Sequence, residues 1–245
     1  MEKRHKQVID VIIISGGDGY RIKELTNRYL CKSLIPINKI PCVFRLISSI
    51  RKVLPNSRIL LCIDSKEKIA IFKKFILKFR LRNLVIFQDK HRGPVQTIYE
   101  AGALCETERV LIFFGNQLVP QKHILNLVSY GSESAVFSTY DKTSENHCKI
   151  AVVSKESIIT AVSRHNYLKK IKRNERYIDV PYCLPIKFFS METFPTLKKL
   201  FVKDPMRTTK LKKDEKVYSL YANFPSEFHY KYEVDKLKTF FENVN

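Results

Sequence analysis

The stretch from Val8 to Val43, VIDVIIISGGDGYRIKELTNRYLCKSLIPINKIPCV, constrains the fold more than any other. Val8, Ile9, Val11, Ile12, Ile13 and Ile14 form a β-branched apolar run broken only by Asp10, the pattern of a strand buried on both faces. The run stops at Ser15-Gly16-Gly17-Asp18-Gly19, which holds three of the chain's seven glycines. A strand that runs into glycines lets backbone N–H groups approach an anion closely, because no Cβ intervenes. Arg21 follows at once, and Lys32 stands eleven residues further on, ahead of the apolar run Leu34-Ile35-Pro36-Ile37. Backbone donors with two cations beside them suit the phosphates of a nucleotide. The candidate nucleotide-binding residues are therefore Gly16, Gly17, Gly19, Arg21 and Lys32. A glycine turn beside a structural arginine and lysine is the plain alternative. The stretch is not a Walker loop, because it lacks Gly-Lys-Ser/Thr, and its glycine spacing is not that of a dinucleotide fingerprint.

Downstream, apolar positions 43, 46, 47, 50, 53 and 54 predict a helix with Pro41 near its start. Arg58–Ile63 predicts a second buried strand, and Ser65 caps a helix running to about Lys78 with Ile69, Phe72, Phe75, Ile76 and Phe79 inward. Leu84–Phe87 and Arg109–Phe114 predict further strands, with a helix opening near His91–Ile98. Strands are also expected at 134–139, 149–153, 157–162 and 217–222, a helical stretch interrupted at Pro195 over Lys187–Val202, and a closing helix over 232–241. Continuous apolar strands alternating with helices imply an α/β, Rossmann-like fold: a mostly parallel mixed sheet with helices on both faces, as one domain over residues 1–245. Ligands in such sheets sit at the carboxyl ends of the strands, where Gly16 to Gly19 fall.

A hydrophobic content of 44% is enough for a full core. No apolar run approaches a membrane span, and the basic N-terminus leads straight into the first strand, so neither a membrane anchor nor a signal peptide is expected. The six cysteines, at 31, 42, 62, 105, 148 and 183, include no Cys-x-x-Cys pair, which argues against a zinc site or a redox dithiol and for a reducing compartment, the cytosol. Cys62 and Cys105 read as small core hydrophobes. The net charge of +20 suits an acidic partner or reflects a lysine-biased composition. No RNA-binding motif accompanies it, and direct RNA binding is not expected.

The pattern Gly16-Gly17-x-Gly19-x-Arg21, followed by Lys32-x-Leu34-x-Pro36, resembles the sugar-1-phosphate nucleotidyltransferase superfamily, with the gap between Arg21 and Lys32 one residue longer than in that family. The resemblance implies NTP plus sugar 1-phosphate as substrates, with Mg²⁺ held by two aspartates. The sequence departs at those points. Asn116 stands in Gly115-Asn116 where the family has Gly-Asp, and the second aspartate, shortly before the last helix, is replaced by His229 or Tyr230. Of the turn that meets the base only Gly93 survives, followed by Pro94. Ser163-Arg164-His165 stands where a Glu-Lys pair holds the sugar phosphate. Val180 and Pro181 stand in place of the Asn-Ala-Gly that fits the sugar ring, and would fill its space.

One branch of the superfamily keeps the fold without evident sugar chemistry: the gamma and epsilon subunits of the guanine-nucleotide exchange factor for eukaryotic translation initiation factor 2. The opening, with Leu25-Thr26, and Tyr177–Cys183 are similar to that branch, as is, loosely, the segment Glu227–Tyr232. The resemblance implies a non-catalytic, transferase-like subunit with no catalytic residues and no cofactor. Its partners would be the other subunits of the hetero-oligomer and the GTPase they act on. It would be a short form, because no hexapeptide repeat for a C-terminal left-handed β-helix follows. The alternative is an active sugar-1-phosphate nucleotidyltransferase using Mg²⁺ at an atypical site.

Overall fold

The computed structural model describes residues 8–90, 93–140, 149–164, 173–192, 209–210, 217–222, 228 and 231–244. The opening apolar run becomes β1 (Asp10–Ile14), in which Val11, Ile12 and Ile13 are wholly buried. Its parallel neighbours are β4 (Ile59–Ile63) on one side and β6 (Arg109–Phe114) on the other, and β5 (Leu84–Gln88) continues the parallel set beside β4. A small antiparallel pair, β2 (Pro36–Ile37) and β3 (Ile40–Pro41), lies apart from this sheet.

Beyond β6 the sheet becomes mixed. The long β10 (Glu175–Pro185) runs antiparallel to β6 on one edge and to β7 (Ala135–Tyr140) on the other, and β12 (Val217–Tyr221) runs parallel to β7. The main order is therefore β5-β4-β1-β6-β10-β7-β12. The first half of β10 also pairs with β8 (Lys149–Val153), which carries β9 (Ile159–Arg164) and β11 (Thr209–Lys210).

Strand alternation divides the core between two faces. Val11, Ile13, Leu61 and Phe113 point to one face, against α2 (Cys42–Val53), α3 (Lys66–Lys78) and α5 (Gln121–Ser129). The predicted stripe on α2 is confirmed: Val43, Leu46, Ile47 and Ile50 are wholly buried. Ser65 caps α3, its hydroxyl accepting from the Lys68 N–H at 3.3 Å. Ile12, Leu60, Cys62 and Ile112 point to the other face, against α4 (Pro94–Gly102). There Gly102 permits close packing, since a Cβ on it would fall 1.9 Å from Cδ1 of Phe189. A short α1 (Lys23–Tyr29) follows the glycine turn, and α6 (Lys231–Val244) closes the chain, burying Val234 and Leu237 with Phe228, Ile35 and Ile37.

The stretch from Lys187 differs from expectation. A single 3-10 turn, Ile186–Phe189, follows Pro185 and puts Phe188 and Phe189 into the core against α4, instead of forming a helical stripe. Residues 193–202 lie outside the described set. Cys31, Cys42, Cys62, Cys105 and Cys183 are free thiols, and burial pushes Cys105 up to about 12. No described helix is long and apolar enough to cross a membrane.

Three buried polar groups tie the layers together. Asp10, the one break in the first strand's apolar run, accepts from both sides of the Arg58 guanidinium at 3.1 Å and from the Glu106 N–H at 2.6 Å. Arg109 caps the end of α5, donating to the carbonyls of Leu127, Val128 and Tyr130. His123 lies 2.8 Å through Nε2 from the Ser138 hydroxyl, which donates to the Pro181 carbonyl at 2.8 Å. The hydroxyl proton is thereby committed, so Nε2 carries a hydrogen.

Burial lowers the His123 pKa to about 4. The unfolded chain takes up a proton near pH 6.5 that the folded chain refuses until about pH 4. This contribution to stability is fully present above pH 6.5 and is lost as pH falls through about 4. Chemical denaturation from pH 7.5 to 4 should show a loss of roughly 2–3 kcal/mol from this residue. In His123→Gln, which keeps the donor but does not titrate, that component should be absent.

Candidate functional site

The parallel strands β1, β4, β5 and β6 end on one edge of the sheet, and the residues just past those ends form a cleft of about 410 Å³. This is the edge where open α/β sheets bind ligands. Gly16, Gly17, Gly19, Arg21 and Lys32, all singled out from the sequence, line it together. So do Asp64 after β4, Asp89 after β5, and Asn116 after β6.

The glycine turn needs its glycines for two different reasons. Gly17 and Gly19 have φ near +56° and +60°, in the left-handed region that other residues enter at a cost. Gly19 must also lack a side chain, because its Cβ would lie 2.7 Å from Cγ2 of Thr26 and 2.8 Å from Cγ of Lys32. The Lys32 stem thus runs directly across the turn. Below it the Ser33 hydroxyl donates to the Ser15 carbonyl at 3.3 Å, tying the turn to the Lys32–Leu34 3-10 helix. Arg21 sits in the 3-10 turn Tyr20–Ile22 at the mouth of the cleft, its guanidinium 5.4 Å from the centre of the exposed Tyr20 ring.

Charge within the cleft is not only positive. Asp18, at the tip of the glycine turn, pairs with the Lys68 ammonium at 2.8 Å, and Asp64 pairs with the same ammonium at 2.9 Å. Burial alone would lower the Lys68 pKa, but the hydrogen bonds and charges of the two carboxylates outweigh it and raise the value. Lys68 is therefore a firmly charged ammonium beneath the turn.

Asn116 is nearly buried, and its amide nitrogen donates to the Phe228 carbonyl at 2.9 Å. Phe228 is itself wholly buried just before α6. The asparagine therefore fastens the segment before the last helix to the wall of the cleft, a bond that an ionised aspartate could not donate.

The described residues do not fit a magnesium ion held between two carboxylates. Position 116 offers a neutral amide oxygen, Asp18 and Asp64 are bound to Lys68, and Asp89 is the one other carboxylate among the described residues that line the cleft. Among the described residues no group of three or more His, Cys, Asp or Glu is placed to hold a metal. His229 and Tyr230 lie outside the described set, as does His165.

Residues 178–183 are part of β10, where a bulge between Asp179 and Tyr182 interrupts pairing with β7; of those with described side chains, Ile178, Pro181, Tyr182 and Cys183 are not among the residues lining the cleft. Sequence reasoning missed Asp64, Lys68 and Asp89. A usable signal existed for the two aspartates: each directly follows a parallel strand, which places it on the ligand edge. Lys68 had no local signal, because its partners lie at positions 18 and 64.

Comparison with known proteins agrees with this geometry. No curated protein sequence is a significant match. Solved structures with the same fold include a protein assigned as a glucose-1-phosphate thymidylyltransferase from Bacillus anthracis (TM-score 0.72, 12% identity, 97% of each chain covered). They also include the inositol-1-phosphate CTP transferase from T. maritima (TM-score 0.69, 14% identity, 95% of each chain). A third is the CTP:phosphocholine cytidylyltransferase of Streptococcus pneumoniae (TM-score 0.66, 13% identity, 96% of this chain and 99% of that one). At these identities the likeness concerns the fold. Residues 10–174, about two thirds of the sequence, match the family model described as "Nucleotidyl transferase", and the chain therefore belongs to the nucleotidyl transferase family.

Proposed function

We propose that this chain is a nucleotidyltransferase-like subunit that holds a nucleotide's phosphates without transferring them, and that it serves in the guanine-nucleotide exchange factor for eukaryotic translation initiation factor 2. One observation carries the non-catalytic part. The amide of Asn116 is bonded to the Phe228 carbonyl at the place where an active relative needs a carboxylate for its metal. Nucleotidyl transfer must neutralise charge building on the phosphates, and a neutral amide supplies little of that. The phosphate-holding part is supported by the shared cleft of the glycine turn, Arg21 and Lys32. The assignment to the exchange factor is supported by the likeness of Gly16–Ile37 and Tyr177–Cys183 to its gamma and epsilon subunits. The partners would be the factor's other subunits and its GTPase substrate, in the cytosol.

A second reading, an active sugar-1-phosphate nucleotidyltransferase, draws on the same cleft, which keeps both cations of the phosphate site. Two measurements separate the readings. Affinity purification from the native cell should recover translation-factor subunits. A panel of NTPs and sugar phosphates with Mg²⁺ should release no pyrophosphate. Turnover in the panel, with no such subunits recovered, would reject the scaffold. Under either reading Arg21→Ala and Lys32→Ala should each weaken nucleotide binding about tenfold, as for loss of a charge-assisted bond. Unchanged affinity in both would reduce the turn to a structural element.

A further inference from the structure

We infer that Lys68 neutralises the phosphate loop: its ammonium cancels the Asp18 carboxylate, so that a polyphosphate can enter the glycine turn. The inference rests on the phosphate-holding reading of the cleft and assigns it a residue from a different part of the chain.

Asp18 is an awkward residue for an anion site. It lies between the two left-handed glycines, its side chain is 86% exposed, and it lines the same cleft as Arg21 and Lys32. A bare carboxylate there would repel phosphate across a short distance in a partly desolvated cleft. Asp64 adds a second carboxylate, pressed so closely under Gly16 that a Cβ on that glycine would meet its Cβ and Cγ at 3.1 Å. The structure places one ammonium against both, at 2.8 and 2.9 Å, on a side chain only 8% exposed. Lys68 is the third residue of α3, so the helix fixes its stem while Ser65 accepts from its backbone N–H. Without Lys68, the floor of the turn would lose the ammonium that both carboxylates face. With it, the floor of the turn carries one net negative charge in place of two, beside the cations Arg21 and Lys32.

A purely structural tether makes a different prediction, because either partner's loss would then loosen the turn and weaken binding. Charge neutralisation requires the two losses to act in opposite directions. The probe is inorganic tripolyphosphate, titrated calorimetrically into the full chain in EDTA, with thermal melting to confirm folding. Lys68→Met should weaken binding about tenfold, as expected when like charge is left uncovered in a binding cleft. Lys68→Arg should stay near wild type, and Asp18→Asn should tighten binding by about threefold. The double variant Lys68→Met/Asp18→Asn should recover most of the loss.

Asp18 is exposed, so its variant tests the idea even if Lys68→Met folds poorly. Wild-type affinity in Lys68→Met, or weaker binding in Asp18→Asn, overturns the inference while leaving the phosphate site standing. No binding of tripolyphosphate by the wild-type chain would overturn the site and the inference together.

Discussion

Replacing Arg109 with methionine should destabilise the protein by about 3–5 kcal/mol, the range for removing one partner of a buried charged network. Arg109 is 1% exposed and begins β6 in the middle of the sheet. Its guanidinium donates to the carbonyls of Leu127, Val128 and Tyr130, which the end of α5 would otherwise leave without helical partners. The positive charge also complements the partial negative charge at that helix end. Methionine fills much of the volume but donates nothing, so one buried and two partly buried acceptors lose their donor at once. For a chain of this size the loss corresponds to a fall of about 10 °C in melting temperature. Arg109→Lys should recover part of it, because an ammonium keeps the charge but not the fork that reaches three carbonyls. A melting temperature within about 2 °C of wild type in Arg109→Met would show that the helix end finds other donors.

Asn116→Asp should cost about 3–4 kcal/mol at pH 8. The substitution replaces a donor with an ionised acceptor facing the Phe228 carbonyl at a site 8% exposed. Both groups would then present lone pairs to each other with little water between them. The pH dependence has a definite sign. Burial against a carbonyl raises the pKa of the new carboxyl in the folded state above its unfolded value near 3.9. Stability relative to wild type is therefore retained below the unfolded value, where the protonated acid donates to Phe228, and is lost as pH rises through the folded pKa. Denaturation of both proteins from pH 4 to 8 should show the gap opening with pH. The same variant tests the proposed function, since it installs the Gly-Asp pair that the resemblance to active nucleotidyltransferases implies. Mg²⁺-dependent pyrophosphate release in Asn116→Asp at the level of an ordinary transferase would mean that one amide alone silences the site.

The sequence showed most of the parallel half of the sheet because its signals there are local. The 43–54 periodicity, the Ser65 cap and the β-branched runs act through neighbours within a turn or a strand, and the elements fall where those signals put them. The grouping of Gly16, Gly17, Gly19, Arg21 and Lys32 in one cleft was legible for the same reason, as all sit within one loop and its return. Lys68 and Arg109 were opaque because their partners are distant in the chain. A lysine in a charged helix and an arginine at the start of an apolar strand both look solvent-facing until residues 18, 64 and 127–130 arrive beside them. The 3-10 turn at Ile186–Phe189 was misread because its phenylalanines follow the space left by Gly102, not a helical period.

β6 and β7 follow one another in the chain, yet they never touch; β10 is driven between them and bonds to both. On a ribosome, the first six strands therefore emerge with an unfinished seam, and the barrier to closing it persists until residue 185 has left the exit tunnel. The family match ends at 174, one residue before that strand begins, so the matched segment by itself lacks the strand that joins β6 to β7. A chain cut short before β10 should therefore leave edges of β6 and β7 unpaired, the condition under which partly folded chains aggregate.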